Sequence, residues 1–276
     1  MNWLEHYLTN SPDLPRLFIL VFTFLICWLI ENRISTKDGK LKTKHAFFNA
    51  RFILIDVPVQ VVLGLLFSVV IGYDMKHRFG MFDHLGPIQN PLIQFALMFI
   101  MLDFLEYVYH VIMHKVKPFW MFHLVHHSDK KIDVSSTLRE HPGETFARLS
   151  FTLLWVFITG VPLWIFILRQ FIQIASNILA HASVRLPEKL NSVVSLIFIT
   201  PNVHQVHHHY KLPYTDCNYG DVLSIWDRMF GTFITLPMEK TIYGIDSCFE
   251  EKENTNFKTM VTIPFSGYRT SATVEN

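Results

Sequence analysis

The sequence predicts an all-α integral membrane protein, with about four transmembrane helices in two hairpins and a helical cap on the cytosolic side. Two observations carry that prediction. Apolar residues make up 50% of the 276-residue chain and charged residues only 17%, and the mean hydropathy is +0.27. That is too apolar for an ordinary soluble domain. The charge-free stretches also cluster within residues 1–184, with lysine and arginine gathered between them. A net charge of +1 gives no case for a nucleic-acid partner.

The elements follow in order. Residues 17–30 (LFILVFTFLICWLI) form the first apolar stretch, short for a span, so Arg16 and Glu31 are expected to reach toward the interfaces. The preceding segment is acidic and no small-residue cleavage site follows, so this reads as a retained helix rather than a signal peptide. Residues 57–73 come next, with Asp56 just before them. Leu85 to Leu102 is uncharged, and Asp103 and Glu106 begin its polar end. Leu149 to Leu168 is a further clean run, which 170–184 continues after Arg169 with only His181 ionisable. A span needs about 20 apolar residues.

"TGVPL" at 159–163 offers a break in the last run, because Pro162 lacks a backbone donor and Gly160 loosens the turn. Residues 32–51 carry Arg33, Lys37, Lys40, Lys42, Lys44 and Arg51, whereas 74–84 carry only Lys76 and Arg78. By the positive-inside tendency the first loop is cytoplasmic, which returns the third helix to the cytoplasm near His110. The cap is then expected from 104–148 and 185–240. A single domain spans 1–240, and 241–276 reads as a loose polar tail. The three cysteines, Cys27, Cys217 and Cys248, are scattered and suggest neither disulfides nor a thiolate site.

The fifteen histidines are the compositional outlier. His110 and His114 are spaced i, i+4. His123, His126 and His127 are spaced i, i+3, i+4, and His204, His207 and His208 repeat that pattern. On a helix each set lies on one face. Eight imidazoles, or nine with His181, suit two metals better than one, and imidazole accepts iron, zinc or copper. His6, His45, His77 and His84 read as ordinary core or surface residues. Ligating histidines pass their second N–H to an acceptor, for which Asp103, Glu106, Asp129, Asp133, Glu140, Glu144 and Asp216 are candidates.

These motifs resemble the sterol desaturase and fatty acid hydroxylase superfamily. The likeness extends through "HHSDKKIDVSSTLREHPGE" (126–144) and "YTDCNYGDVLSIWDRMFGTF" (214–233) and covers roughly 100 to 240. It implies two iron ions as cofactor, O₂ as co-substrate, and hydroxylation or desaturation of a membrane lipid such as a sterol, fatty acyl or ether lipid. His110, His114, His123, His126, His127, His204, His207 and His208 fall on the family's ligand motifs, and His181 matches an additional ligand. Some members carry H-x-x-x-H there; this chain has Asn177 four residues before His181, which makes Asn177 a further candidate near the metals.

"HPGE" (141–144) resembles the haem-binding HPGG of cytochrome b5 but has no room for a separate domain, so it reads as a loop. Electrons are then expected from a separate cytochrome b5-, ferredoxin- or reductase-type donor. "LREHPGE" with "DCNYG" resembles the branch shared with alkylglycerol monooxygenase-like proteins, which favours hydroxylation. The expected location is a bacterial inner membrane or the endoplasmic reticulum, with the histidines on the cytoplasmic face.

Two other classes fit parts of this pattern. A membrane hydrolase with two zinc ions and an activated water would need a general base such as Glu140 or Glu144. A metal transporter or store would need a polar path at mid-membrane, which the apolar stretches lack.

Overall fold

In the computed structural model, which describes residues 13–34, 39–84, 88–245 and 251–266, the chain is helical, with no β-strand among the described residues. His6, Cys248 and the residues after 266 lie outside the described residues. Helix α1 is Asp13–Ile34, α2 Gly39–His77, α3 Pro91–Lys115, α4 Lys117–His127, α5 Pro142–Thr159, α6 Leu163–His181, α7 Pro201–His207, α8 Ile225–Phe230 and α9 Phe257–Thr262. One-turn helical segments fill several of the connections between them.

Three stretches among the described residues are long and apolar enough to cross a membrane: Gly39–Asp74, Pro91–Lys115 and Leu163–His181. Their outward faces carry exposed apolar side chains, such as Leu54, Val62, Leu65 and Val69 on α2. That inverts the soluble pattern and suits a hydrocarbon surrounding.

The basic segment 39–51, expected as a loop, is instead the start of α2. After Gly39 at its first position it holds no glycine or proline, and lysine, alanine and leucine favour the helical backbone. At 39 residues α2 is about 58 Å long at 1.5 Å per residue, so its basic end extends beyond an apolar layer of about 30 Å. Glu31 does not reach outward as expected. It is buried, pairs with Lys42 at 2.7 Å, and accepts the backbone N–H groups of Val134 at 3.0 Å and of Ser183. One carboxylate thus ties α1 to α2 and to the segments after α4 and α6.

Of the stretch expected from Leu85 to Leu102, residues 85–87 lie outside the described residues, and α3 begins at Pro91. There the Asn90 side chain accepts from the N–H groups of Leu92 and Ile93, satisfying donors that a helix start leaves open. The break at 159–163 falls where the sequence puts it. Thr159 ends α5, Gly160 adopts φ 63°, and Pro162 precedes α6. A Cβ on Gly80 would stand 2.1 Å from the Gly160 Cα, so the two turns meet backbone to backbone. After the break the two helices diverge, α5 packing along α2 and α6 along α1.

Residues 251–266, read from sequence as part of a loose tail, return to the fold. Met260 and Ile263 are buried in one cluster with Phe52, Leu124 and Val125. Phe257 and Val261 pack against the same cluster, so one apolar face of the segment docks it against α2 and α4.

Candidate metal centre

α3 ends with His110 and His114 one turn apart. Val116 takes an extended conformation and breaks the helix, and Pro118 sits in the first turn of α4, where its missing N–H is no loss. The bend turns α4 so that His123, His126 and His127 face back on α3. α6 ends on His181, and α7 contributes His204 and His207, with His208 at its C-terminal cap.

The nine histidines gather in two groups. His110, His114, His123, His127 and His207 form one, and His126, His181, His204 and His208 the other; within each, the candidate ligand nitrogens lie within 4.8 Å of one another. Each H-x-x-H-H motif is therefore divided. Its i, i+4 pair serves one group and its i+3 member the other, with the assignment reversed between the two copies. The sequence places all three on one helical face; in the structure that face straddles both groups.

The hydrogen bonds decide which nitrogen of several rings holds a proton. His110 Nδ1 donates to the Tyr219 carbonyl at 2.8 Å, His126 Nδ1 to the Arg139 carbonyl at 3.3 Å, and His181 Nδ1 to the Asn177 carbonyl at 2.8 Å. His207 Nδ1 donates to the Cys217 carbonyl at 2.6 Å, and His123 Nδ1 lies 2.6 Å from Glu144 Oε1. A carbonyl can only accept, so the ring nitrogen facing it bears the proton and Nε2 keeps its lone pair.

Yet these Nε2 atoms converge. His126 and His181 approach to 3.0 Å and His110 and His123 to 3.2 Å. The Nε2 atoms of His204 and His208, whose Nδ1 atoms have no protein partner, close a triangle with that of His181, with sides of 3.1, 3.2 and 3.2 Å. Lone pairs that face each other at this range repel unless a cation lies between them. Protonating the rings does not relieve it: burial, reinforced by neighbouring imidazoles, pushes His123, His126, His127, His204, His207 and His208 well below the ordinary histidine range. A metal about 2.0–2.1 Å from imidazole nitrogen sets ligands at right angles about 3.0 Å apart and tetrahedral ones about 3.4 Å apart. The spacings within the groups fit that range. Nε2 of His114 and of His207 have no protein hydrogen-bond partner, as ligand atoms should not. An all-imidazole donor set suits iron, zinc or copper.

The acceptors behind the rings are mostly backbone carbonyls, which leave no side-chain signature in a sequence. Of the candidate carboxylates, Asp216 meets His114 Nδ1 at 3.3 Å and also Lys115 Nζ at 2.6 Å, and Glu144 meets His123. The side chain of Asn177 bonds none of the nine rings; its carbonyl holds His181.

Five candidates bond elsewhere, among them Glu140, which pairs with Arg148 at 2.8 Å. Asp103 accepts from the N–H groups of Val222 and Leu223, at 3.2 Å each, and from Trp226 Nε1 at 2.8 Å. Glu106 pairs with Arg169 at 3.4 Å. Both share the His110 face of α3, but rise along the helix carries them past the rings. Asp129 and Asp133 turn instead to His45 on α2, at 2.9 and 3.0 Å. Burial opposes charge on Asp129, yet His45 and Arg139 hold its carboxyl well below the usual carboxylate range. His45, read from sequence as ordinary, thus binds α2 to the segment behind α4.

Arg139, buried, is held by the Val125 carbonyl at 2.9 Å and Ser128 Oγ at 2.8 Å, which fixes the carbonyl that His126 uses. His141, expected in a loop, caps α5: its Nδ1 accepts from the Gly143 N–H at 2.9 Å. A small cavity of about 100 Å³ touches both groups, through His110 and His123 on one side and His126, His181 and His204 on the other.

Glu144→Ala is expected to weaken metal binding roughly 10- to 100-fold, the usual loss when the partner of a ligating histidine is removed, with Glu144→Gln intermediate because its amide oxygen still accepts. Metal retention against a graded chelator measures this; wild-type retention in Glu144→Ala would remove Glu144 from the support of His123.

Apolar helices long enough to span a bilayer, with two clusters of imidazoles at their ends, define a class of helical protein built around a candidate dinuclear histidine centre. The chain belongs to the fatty acid hydroxylase family, whose model matches residues 95–232, a stretch that contains all nine histidines. It is 28% identical over 182 residues to the ornithine lipid hydroxylase of Rhizobium tropici, covering 66% of this chain and 54% of that protein. To the alkylglycerol monooxygenases of Homo sapiens and Danio rerio it is 32% and 34% identical, over 53% and 54% of this chain and 32% of each of those proteins. The chain thus spans about half the length of the first relative and a third of the other two. No solved structure matches it.

Proposed function

We propose that this protein is an O₂-dependent di-iron oxygenase that hydroxylates a membrane lipid. The observation that carries the reading is the pair of imidazole clusters whose proton-free Nε2 atoms face one another, in a chain of the fatty acid hydroxylase family. His110, His114, His123, His127 and His207 would hold one iron and His126, His181, His204 and His208 the other. Bound there, the metals supply the one-electron and O₂ chemistry that an unactivated C–H bond requires and that side chains lack.

The chain's own part is to position and to exclude. The carbonyls of Arg139, Asn177, Cys217 and Tyr219, with Glu144, keep protons on Nδ1 and so keep Nε2 free for metal. The small cavity admits the reacting carbon beside both groups, and the buried rings around it keep bulk water out. The names of the relatives, an ornithine lipid hydroxylase and alkylglycerol monooxygenases, favour hydroxylation over desaturation and a lipid with a polar head.

In this reading the membrane part comprises about four helices in two hairpins, α1 with α2 and α3 with the bent α5–α6 pair. α4, α7 and the segments around them form a cap on the cytoplasmic face, where Lys115, Lys117, Lys130 and Lys131 lie. Electrons come from a separate donor protein.

Elemental analysis of untagged protein tests the proposal, followed by lipid turnover assays with reductant and O₂. Two iron ions per chain and turnover that stops without either reagent are the expected result. Two zinc ions that iron does not replace, with lipid hydrolysis under anaerobic conditions, would overturn it in favour of a hydrolase.

A further inference from the structure

A second cavity, of about 430 Å³, lies among α1, α2 and α6 and shares Thr137, Glu140, Arg148, Gln173 and Asn177 with the small cavity beside the histidines. Its two ends differ in chemistry. Along α2 the lining runs through Asp56, Gln60, Leu63 and Phe67, steps of three and four residues that make one helical face. Phe67 and Phe166 oppose each other with ring centroids 4.8 Å apart, at the end of the cavity away from the histidines. α6 carries the wall back from Phe166 through Gln173 to Asn177, one turn from His181. The cavity is thus apolar at its far end and polar where it joins the histidines.

One polar group at the joined end stands out. Asp56 is 4% exposed; Thr145 stands within hydrogen-bonding reach of its carboxyl, but Oδ1 has no protein hydrogen-bond partner. Its neighbour Glu140 is occupied, by Arg148 Nη2 at 2.8 Å and Thr145 Oγ1 at 2.8 Å. Asp56 stands within electrostatic reach of that pair. A buried acceptor without a donor is costly to leave so, and this one lines the route to the candidate centre.

We propose that the cavity takes a lipid head first: a hydroxyl or amine of the head donates to Asp56, and the hydrocarbon chain runs toward Phe67 and Phe166. The C–H bonds next to the head, not those of the chain terminus, then lie nearest the histidines. This rests on the oxygenase reading for its catalytic meaning, but head recognition is a binding property that can be measured without turnover.

The probes are 1-O-hexadecylglycerol and its 2,3-di-O-methyl ether, which keeps the chain and the ether oxygen but has no hydroxyl. Binding of each, radiolabelled, is measured on the full chain in nanodiscs. Wild type is expected to prefer the diol at least tenfold, Asp56→Leu to bind the two within twofold of each other, and Asp56→Asn to keep an intermediate preference. Equal binding by wild type, or an undiminished preference in Asp56→Leu, would overturn the proposal. If Asp56→Leu does not fold, judged by gel filtration and metal content, Asp56→Asn carries the same test: a preference equal to wild type's overturns it. Failure of lipid oxidation with the diol preference intact would count against the oxygenase reading alone.

Discussion

His181→Ala is expected to cause the largest loss of function of any single substitution in the second histidine group. His181 Nε2 lies 3.0, 3.1 and 3.2 Å from its counterparts on His126, His204 and His208, so it is the hub of that group. Removing it leaves three imidazoles and a gap at the centre of the donor set. Metal content should fall from two ions per chain to about one, and lipid turnover should fall by more than the roughly 100-fold typical of losing an outer partner. His84→Ala, an exposed residue far in sequence from either group, should change neither quantity. Metal analysis and turnover on the two variants check this. Full metal content in His181→Ala would remove His181 from the centre and leave the second group incomplete.

Asp103→Ala is expected to destabilise the fold most among the carboxylate substitutions, and to loosen the centre from a distance. Its buried carboxylate accepts from Val222 N–H, Leu223 N–H and Trp226 Nε1. Alanine would strand three buried donors at about 1–3 kcal/mol each, a sum of several kcal/mol against the marginal stability of a folded chain. The segment that Asp103 holds also contains Tyr219, whose carbonyl orients His110, so weaker metal retention should accompany the lower melting temperature. Asp103→Asn, which keeps one acceptor oxygen, should recover part of both. An Asp103→Ala variant that melts like wild type would mean that water replaces the carboxylate at little cost.

Asp103 also illustrates how far sequence reasoning reaches. Its spacing from His110 places both on one face of α3, and that is correct; its partners come from residues more than a hundred positions later, which spacing along one helix cannot foresee. His45 is the converse case. Nothing local distinguishes it from an ordinary basic-segment residue, yet it bonds to both Asp129 and Asp133 because α2 begins at Gly39 and carries it there. The tail differs for a similar reason: Phe257, Met260, Val261 and Ile263 are scattered apolar residues in a tail that is polar overall, and only the groove between α2 and α4 makes them an anchor.

The sequence by itself determined that the chain is helical and strongly apolar, that it turns at Gly160–Pro162, and that eight histidines stand out in motif spacing, with His181 a ninth candidate. These follow from hydropathy, backbone preference and helical periodicity, which act between near neighbours. Tertiary structure alone decided how the nine divide, which rings carry a proton on Nδ1, and that four of the acceptors behind them are backbone carbonyls. Those features depend on where the α3–α4 bend and the ends of α6 and α7 meet in space. Hydrogen-bond geometry between distant segments sets them, and no periodicity within one segment encodes it.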